Sequence, residues 1–355
     1  MKGDHRRRGE SDPLRHPQDE RRHIPGFQIK DCRRVGRLDA VSFVMGRCIG
    51  VDVGGTKIAA ARVESDGSLS RRFRTDTRAD EGPDGVIERI CQGIEQVMGE
   101  EKVEGIGIAC PGPLDARTGV VLSPPNLPGW DRIPLKDRLE ERFGVPVRVE
   151  NDANAAAWGE YLLGAGRGAD PMVYITVSTG IGGGIVLDGR LYRGADTFAG
   201  EIGHTIVDPG GAPCSCGRRG CLEALASGTA IARAAAEAVR KGNRRIREAG
   251  GSAPRAEHVF AAYRDGDEDA SRIVREAVRH LAIGISNIVH LFNPRAIVIG
   301  GGVARAGDAL FAPLRERIRA FLMPSFAGTF ELLPAKLGED AGVVGAAALW
   351  AERPK

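Results

Sequence analysis

The stretch CIGVDVGGTKIAAARV, from Cys48 to Val63, is predicted to form two apolar strands joined by a glycine turn at Gly54 and Gly55. A second stretch of the same form, YITVSTGIGGGIVLDG, runs from 174 to 189 and turns at 178–180. Because each opening is followed by further predicted strands and helices, the chain is expected to fold into two related α/β lobes.

Hydrophobic periodicity extends this prediction along both halves of the chain. In the first half it predicts strands at 48–53, 57–63, 69–75, 103–109 and 145–149, and helices at 86–98, 135–143 and 153–163. In the second half it predicts strands at 173–177, 183–187 and 296–299, and helices at 230–240, 270–292 and 341–350.

The glycine turns suggest a site for phosphate. Turns of this kind aim backbone N–H groups at one point, which makes an anion-binding nest, although a single turn is equally a tight hairpin. Two turns in matching places, with a third glycine cluster at 300–302 after a strand, favour a nucleotide bound between the lobes. The GGTK run lacks Walker A spacing, and the glycines at 180–184 join two strands, which disfavours a dinucleotide fingerprint and hydride transfer.

Composition sets the broad class of protein. A length of 355 residues is typical of two domains, and 42% hydrophobic with 27% charged residues is ordinary for a globular chain. No run of about 18 apolar residues is present, so we expect no membrane span. The seven cysteines form no regular framework, which favours a reducing cytoplasm.

The first 44 residues differ from the rest of the chain. They hold 11 Lys and Arg against 7 Asp and Glu, a net charge of +4, which exceeds the net charge of +3 for the whole sequence. The folded part therefore carries no basic excess, and we expect no nucleic-acid partner. The segment is predicted to be disordered; alternatively translation starts at Met45, or the segment is a basic arm that binds a partner.

Three of the seven cysteines crowd into PCSCGRRGC, at Cys214, Cys216 and Cys221, with His204 ten residues upstream. Four such ligands suit a closed tetrahedral Zn²⁺ site, whose role is structural because no position stays open for a substrate. A local disulfide or free thiols are the alternatives, although a disulfide would leave one cysteine unpaired.

Asp152 lies where a predicted strand ends and a helix begins, in the run VENDAN. This is the usual place for a pocket residue in an open α/β sheet, and a carboxylate there suits a general base. It is equally a good helix N-cap, for which Asp and Asn are favoured.

Taken in order, these motifs resemble those of the ROK family, most closely its bacterial glucokinases. The resemblance covers essentially the whole chain after residue 44. The segments that carry it are Asp52–Lys57, the run from Ile175 to Gly194, the Glu201–His204 motif EIGH, and the cysteine motif from Cys214 to Glu223.

The resemblance implies an actin-like ATPase fold with two ribonuclease-H-like lobes and a nucleotide and sugar cleft between them. We expect a small N-terminal lobe at 45–165, with the last helix (341–352) packing back on it, and a large C-terminal lobe at 166–340. It also implies ATP-dependent phosphorylation of glucose at its 6-hydroxyl. In that reaction Asp152 is the general base, Asp52 orients Mg²⁺, and a structural Zn²⁺ orders the cysteine loop.

The resemblance also supplies three sets of site residues. The sugar set is Gly112, Asn126, Asn151, Asp152, Glu201, His204 and Glu223. The nucleotide and phosphate set is Asp52, Gly54, Gly55, Thr56, Lys57, Thr179, Gly180, Gly301 and Gly302. The zinc set is His204, Cys214, Cys216 and Cys221. Two alternatives stay open, since Asn126 is also a plausible turn residue and the Lys57 side chain is equally expected to point away from phosphate.

Two other functions compete with the glucokinase prediction. A transcriptional repressor of the same family adds an N-terminal winged helix-turn-helix, for which 44 residues are too short. A kinase for another sugar, such as N-acetylglucosamine, N-acetylmannosamine, fructose or allose, differs at one or two loop positions. Relatives are commonly dimers or tetramers, so we expect a homodimer or homotetramer.

Overall fold

The computed structural model describes residues 47–64, 66–100 and 102–352. The predictions made for residues 1–44 and for a start at Met45 lie outside the described residues.

The first lobe is built on a five-stranded sheet with the order β3-β2-β1-β4-β8. Strands β1 and β2 are antiparallel, as are β2 and β3, whereas β1, β4 and β8 run parallel. A small three-stranded sheet of β5, β6 and β7 follows β4. The bounds are β1 Cys48–Val53, β2 Lys57–Val63, β3 Leu69–Asp76, β4 Gly105–Cys110, β5 Leu114–Asp115, β6 Val120–Val121, β7 Ile133–Pro134 and β8 Val147–Asn151.

The second lobe repeats this arrangement. Its sheet has the order β11-β10-β9-β12-β13. The pairs β11–β10 and β10–β9 are antiparallel, whereas the pairs β9–β12 and β12–β13 are parallel. The bounds are β9 Met172–Val177, β10 Ile181–Leu187, β11 Arg190–Leu191, β12 Ala296–Gly300 and β13 Glu331–Pro334. The duplication predicted from the two strand–turn–strand openings is thus present in the structure.

Helices cover the sheets. Their bounds are α1 Gly82–Met98, α2 Leu135–Phe143, α3 Asp152–Leu162, α4 Leu222–Ala226, α5 Gly228–Arg240, α6 Arg244–Gly250, α7 Ala256–Arg264, α8 Glu268–Phe292, α9 Asp308–Phe321 and α10 Ala341–Ala348. Gly144 ends α2 with a left-handed φ of 66°, as its position in the sequence predicts. Among the helices of the described residues, none is both long enough and apolar enough to cross a membrane.

Each lobe has its own apolar core. The first is formed by residues such as Ile49, Ile90 and Ile108, and it includes Trp130, which anchors the loop before β7. The second is larger and centres on the long helix α8, whose Leu281 belongs to one buried cluster with residues of β9 and β12. Burial of these side chains is the main source of stability, at about 25 cal/mol per Å² of apolar surface removed from water.

Helices α3 and α10 form the layer between the two sheets. Helix α10 packs on β1 and β4, whereas α3 packs on β9 and β10 and against α10. The close approach depends on glycine, because a Cβ on Gly107 would lie 1.8 Å from the carbonyl oxygen of Ala346. A Cβ on Gly345 would likewise lie 1.8 Å from the carbonyl oxygen of Ala155. Backbone therefore meets backbone across this layer.

Two strands differ from the prediction in ways that matter for the site. Strand β8 begins at Val147 and runs on to Asn151, because Asn151 pairs with Cys110 of β4. Strand β10 begins at Ile181, two residues earlier than predicted, because Ile181 still pairs with Val177. Asn151 consequently lies at the carboxyl end of β8, and Ile181 lies at the start of β10, directly after the second turn.

Candidate active site

The candidate site lies at the carboxyl ends of the parallel strands of the first sheet. Asp52 stands near the end of β1, Gly112 follows β4, and Asn151 ends β8 with Asp152 directly after it. Parallel strands end at the same edge of a sheet, so these residues are brought to one place. A Cβ on Gly112 would lie 3.2 Å from Nδ2 of Asn151, which shows how closely the two segments approach.

Asp152 is the first residue of α3, and the N-cap is its neighbour Asn151. The side-chain oxygen of Asn151 accepts the N–H groups of Ala153 at 2.9 Å and of Asn154 at 3.2 Å. The Asp152 carboxylate also accepts the Ala153 N–H, at 2.8 Å. Because Asn151 serves as the cap, capping does not account for Asp152.

The environment of Asp152 favours its protonated form. The residue is exposed to solvent at the strand ends, while the protein around its carboxylate hydrates the charged form less well than free water does. This desolvation, reinforced by the negative charges of Asp52 and Glu201, raises the pKa of Asp152 to about 7. Asp152, Asp52 and Glu201 therefore form one electrostatic group in the cleft.

Asp52 lies against the first turn of α10. A Cβ on Gly342 would stand 2.6 Å from its carboxyl carbon, so only glycine fits there. Burial raises the pKa of Asp52 to about 6, and the positive charge of Lys57 opposes that rise. Lys57 itself lies 3.7 Å from the carboxylate of Glu339, in a surface ion pair.

The first glycine turn is closed by its own backbone and by a residue that the sequence did not single out. The Gly54 N–H donates to the carbonyl of Lys57 at 2.8 Å. Thr77, which is fully buried, donates its hydroxyl to the Gly54 carbonyl at 2.6 Å and its N–H to the Thr56 carbonyl at 3.0 Å. Thr77 thus holds the turn from the end of β3.

The loop of Asn126 reaches this first turn. A Cβ on Gly55 would lie 3.0 Å from both the Cβ and the carbonyl oxygen of Asn126. The structure therefore brings a residue of the predicted sugar set against a residue of the predicted phosphate set.

The second turn is tied to helix α4 and to the start of α5. The Ile181 N–H donates to Oε2 of Glu223 at 2.9 Å, and a Cβ on Gly180 would meet the same oxygen at 2.3 Å. The Gly228 N–H donates to the Ser178 carbonyl at 2.7 Å, which adds a backbone connection. Glu223, predicted for the sugar set, is thus placed beside the turn of Thr179 and Gly180.

The third glycine cluster lies beside the second turn. Gly301 has a φ of 86°, and a Cβ there would come 2.4 Å from the carbonyl oxygen of Val177, at the end of β9. Glycines 182–184 have another role, because they lie inside β10. Cβ atoms on Gly182 and Gly184 would meet Ala153 at 3.1 Å and Ala157 at 2.5 Å, so these glycines let α3 pack on the strand.

The cysteine loop has a geometry that fits zinc. One ligand atom each from His204, Cys214, Cys216 and Cys221 lies within 4.8 Å of all the others. His204 Nδ1 is 3.6 Å from Cys214 Sγ, and Cys216 Sγ is 3.6 Å from Cys221 Sγ. Tetrahedral zinc with its usual bond lengths separates two sulfurs by about 3.8 Å and a nitrogen from a sulfur by about 3.6 Å.

The fold of this loop explains its two glycines. Gly217 and Gly220 have φ values of 85° and 73°, and a Cβ on Gly220 would lie 1.6 Å from the Asp208 carbonyl oxygen. The Cys214 N–H donates to the Arg218 carbonyl at 2.8 Å, which closes the turn between the thiols. The backbone therefore directs the three cysteines toward His204.

A separate cavity of about 1400 Å³ lies between β8 and β11, and none of the predicted site residues lines it. Its walls include Glu150, Arg193 and Glu352. The candidate site is therefore the cleft at the strand ends and not this cavity.

Comparison with known proteins identifies the family. The model of the ROK family matches residues 48–353. The chain belongs to the ROK family. This confirms the family and the actin-like ATPase fold predicted from the motifs.

Several similar proteins are sugar kinases. The glucokinase of Thermotoga maritima is 44% identical over 310 residues, which cover 86% of this chain and 98% of that protein. The N-acetylmannosamine kinase of Citrobacter koseri is 38% identical, over 85% of this chain and 97% of that protein. A solved ROK glucokinase from Streptomyces griseus, in complex with glucose and AMPPNP, is 40% identical with a TM-score of 0.76 and covers 86% of this chain and 99% of that one. The extent of these matches identifies the chain as a sugar kinase of the ROK family.

Proposed function

We propose that this kinase transfers a phosphoryl group from ATP to the 6-hydroxyl of glucose, with Asp152 as the general base. The observation that carries the proposal is the position of the Asp152 carboxylate, directly after β8 at the carboxyl ends of the parallel strands. Desolvation, together with the nearby charges of Asp52 and Glu201, raises its pKa to about 7. A base of that pKa accepts a hydroxyl proton most effectively near neutral pH. The similarity to glucokinases, including one solved with glucose and AMPPNP, supports glucose and ATP as substrates.

In this proposal the sugar is held by hydrogen bonds from both lobes. Unpaired hydroxyls in a pocket are costly, so a sugar site needs many polar partners. The proposed partners are Asn126, Asn151, Glu201, His204 and Glu223, with Gly112 allowing close approach of the backbone. The 6-hydroxyl then gives its proton to Asp152 as its oxygen forms a bond to the γ-phosphorus and the bond from that phosphorus to ADP breaks.

The phosphates of ATP are proposed to lie between the two glycine turns. Gly54, Gly55 and Thr56 come from the first lobe, and the second contributes the set Thr179, Gly180, Gly301 and Gly302. Lys57 would add positive charge if it left Glu339. Asp52 is the residue proposed to orient Mg²⁺ through water, and Mg²⁺ when bound neutralises charge on the phosphates.

His204, Cys214, Cys216 and Cys221 are proposed to hold a structural Zn²⁺. Zinc bound at such a closed site contributes folding free energy on the order of 10 kcal/mol. Helix α4 begins directly after Cys221, and Glu201 is three residues before His204. The loop and its ligands would therefore fix the backbone that carries Glu201 and Glu223.

The domain division, the cellular compartment and the oligomeric state are also part of the proposal. The division at residue 165 falls in the connection between α3 and β9. The described cysteines, at 48, 91, 110, 214, 216 and 221, form no disulfide, which supports a reducing cytoplasm. We propose that the kinase acts there as a homodimer or homotetramer.

The test is an ADP-release assay with ATP and Mg²⁺ against glucose, fructose, N-acetylglucosamine and N-acetylmannosamine, on protein with measured zinc content. The proposal expects the highest kcat/KM with glucose. A clear preference for N-acetylmannosamine would replace glucose by the acetylated sugar. Equal turnover in the Asp152→Ala variant would remove Asp152 as the base.

A further inference from the structure

Three charged side chains connect the Asp152 turn with the loop that leads to Glu201. Arg193 Nε lies 2.5 Å from Glu150 Oε2, and its Nη2 lies 2.6 Å from Glu352 Oε2. The side chain of Glu150 is only 2% exposed, and those of Arg193 and Glu352 are 25% and 12% exposed. Such a network is costly to bury unless each group is fully paired, so its geometry is strongly specified.

The carboxylate of Glu150 holds the turn that carries Asp152 on both sides. Its Oε1 accepts the backbone N–H of Asn151 at 2.9 Å and the side-chain amide of Asn154 at 3.1 Å. Asp152 stands between these two residues. The position of Glu150 therefore sets the position of the proposed base.

Arg193 fixes Glu150 from the other lobe. Its planar guanidinium binds Glu150 through Nε and both carboxylate oxygens of Glu352 through Nη1 and Nη2, at 2.9 and 2.6 Å. A fork of this kind allows little rotation, in contrast to a lysine. In the described part of the chain, Arg193 is the cation within ion-pair distance of Glu150.

The backbone of Arg193 also shapes the loop that precedes Glu201. Its carbonyl accepts the Ala199 N–H at 3.0 Å, which closes the segment 193–199. The hydroxyl of Thr197 donates to the Leu114 carbonyl of the first lobe at 3.1 Å. Arg193 thus binds Glu150, which holds the Asp152 turn, through its side chain. Through its backbone it closes the segment that leads to Glu201.

We propose that Arg193 is a positioning residue for phosphoryl transfer, which holds the Asp152 turn in register with the Glu201 loop across the two lobes. The inference rests on the proposed role of Asp152 as base. Misplacement of a reacting group by about 1 Å costs on the order of 100-fold in rate, so loss of this connection should appear in kcat.

If the ion pair contributed only to stability, activity would recover whenever stability recovered. Two variants separate this case from a positioning role. Arg193→Met leaves the buried Glu150 without its counter-charge, so stability and activity should fall together. In Glu150→Gln with Arg193→Met, the charge of Glu150, the most buried of the three groups, is gone, although Glu352 keeps its charge. The glutamine oxygen still accepts the N–H groups of Asn151 and Asn154. This pair of changes restores stability without restoring the connection between the lobes.

The experiment measures Tm, kcat and both KM values for wild type, the single variant and the double variant. We expect the double variant to regain most of the lost Tm while kcat stays about 10- to 100-fold below wild type. KM for ATP should stay within about 3-fold, since the nucleotide residues are not displaced. A kcat that returns to within about 2-fold of wild type together with the Tm would overturn the proposal.

Two further variants complete the test. Arg142→Met removes an exposed ion pair to Glu95, 2.9 Å long, and should leave kcat unchanged. If the double variant does not fold, Glu352→Gln decides, because it loosens Arg193 and keeps its pair with Glu150; an unchanged kcat there overturns the proposal. Full turnover of Asp152→Ala would instead show that Asp152 is not the general base. That result would reject the proposed function itself, separately from the role of Arg193.

Discussion

The Oε2 atom of Glu223 accepts the backbone N–H of Ile181 at 2.9 Å. This bond joins helix α4, which begins after the zinc-ligand candidate Cys221, to the glycine turn between β9 and β10. A residue predicted for the sugar therefore also supports the turn predicted for phosphate.

Removal of the Glu223 carboxylate should weaken both substrates. We expect Glu223→Ala to raise KM for glucose and KM for ATP by about 10-fold each, because a hydrogen bond to a charged group is worth about 1.5–3 kcal/mol. Steady-state kinetics with each substrate varied in turn measure both constants. Glu237→Ala, on the exposed surface of α5, is the matched control. A rise confined to glucose would show that the bond to Ile181 does not matter for ATP.

Asp152→Asn should remove turnover and keep binding. Loss of a general base costs about 10²–10⁴-fold in kcat, while the amide retains the shape of the side chain. Glucose affinity, measured by calorimetry, should stay within a few-fold. Substantial turnover in this variant would count against the base.

The rate should fall on the acid side of neutral pH. Asp152 must be deprotonated to accept a proton, and its pKa is about 7, so kcat/KM should decline as pH drops below that value. Asp52→Asn removes a neighbouring negative charge, so the pKa of Asp152 should fall and the acid limb should move to lower pH. The pH profile of each protein checks this, and an acid limb that stays in place despite the lower rate contradicts the electrostatic account.

The same carboxylate should cost stability at neutral and basic pH. The pKa of Asp152 is raised from 3.8 to about 7 on folding, so its protonated form is favoured in the folded chain. Its contribution to stability is greatest at low pH and is lost as pH rises from about 4 to about 7. Asp152→Asn should therefore have a higher Tm than wild type at pH 8 and a similar Tm at pH 4. If the variant and wild type had equal Tm values at pH 8 as well as at pH 4, solvent would be screening the Asp152 charge fully.

Zinc and activity should be lost together in Cys216→Ser. The serine hydroxyl is a poor ligand for zinc, and the closed site needs all four ligands. Elemental analysis and the kinase assay on the same preparation test this. Cys91 lies in helix α1 of the other lobe, so the Cys91→Ala protein should keep the zinc bound at the cysteine loop. A zinc-free Cys216→Ser protein with full activity would reject the assignment.

Much of this fold is visible in short-range patterns. The two openings at Cys48 and Tyr174 are predictable because apolar runs and glycine turns lie together within about 16 residues, a local pattern that a sequence shows directly. Helix α9 was not predicted, since Pro313 stands in its interior and proline usually signals a helix end.

The site was predictable only in part. Asp52, Asn151 and the cysteines stand in motifs, whereas Thr77 is an ordinary residue at the end of a strand. The pair of Glu150 and Arg193 spans 43 positions, and its charge matching arises only when the two lobes meet. Glycines 182–184 stand out as a cluster in the sequence. That Gly182 and Gly184 let α3 pack on β10 depends on a helix earlier in the chain, which the local pattern does not show.

The layer that α3 and α10 form between the two sheets has a mechanical consequence. Gly107 of β4 meets Ala346 of α10, and Gly345 of α10 meets Ala155 of α3, through backbone atoms, so both faces of α10 have flat contacts at these points. A smooth contact of this kind opposes compression but presents little obstacle to translation along the helix axes. We therefore expect the cleft to close by shear of one lobe over the other rather than by bending at a single loop.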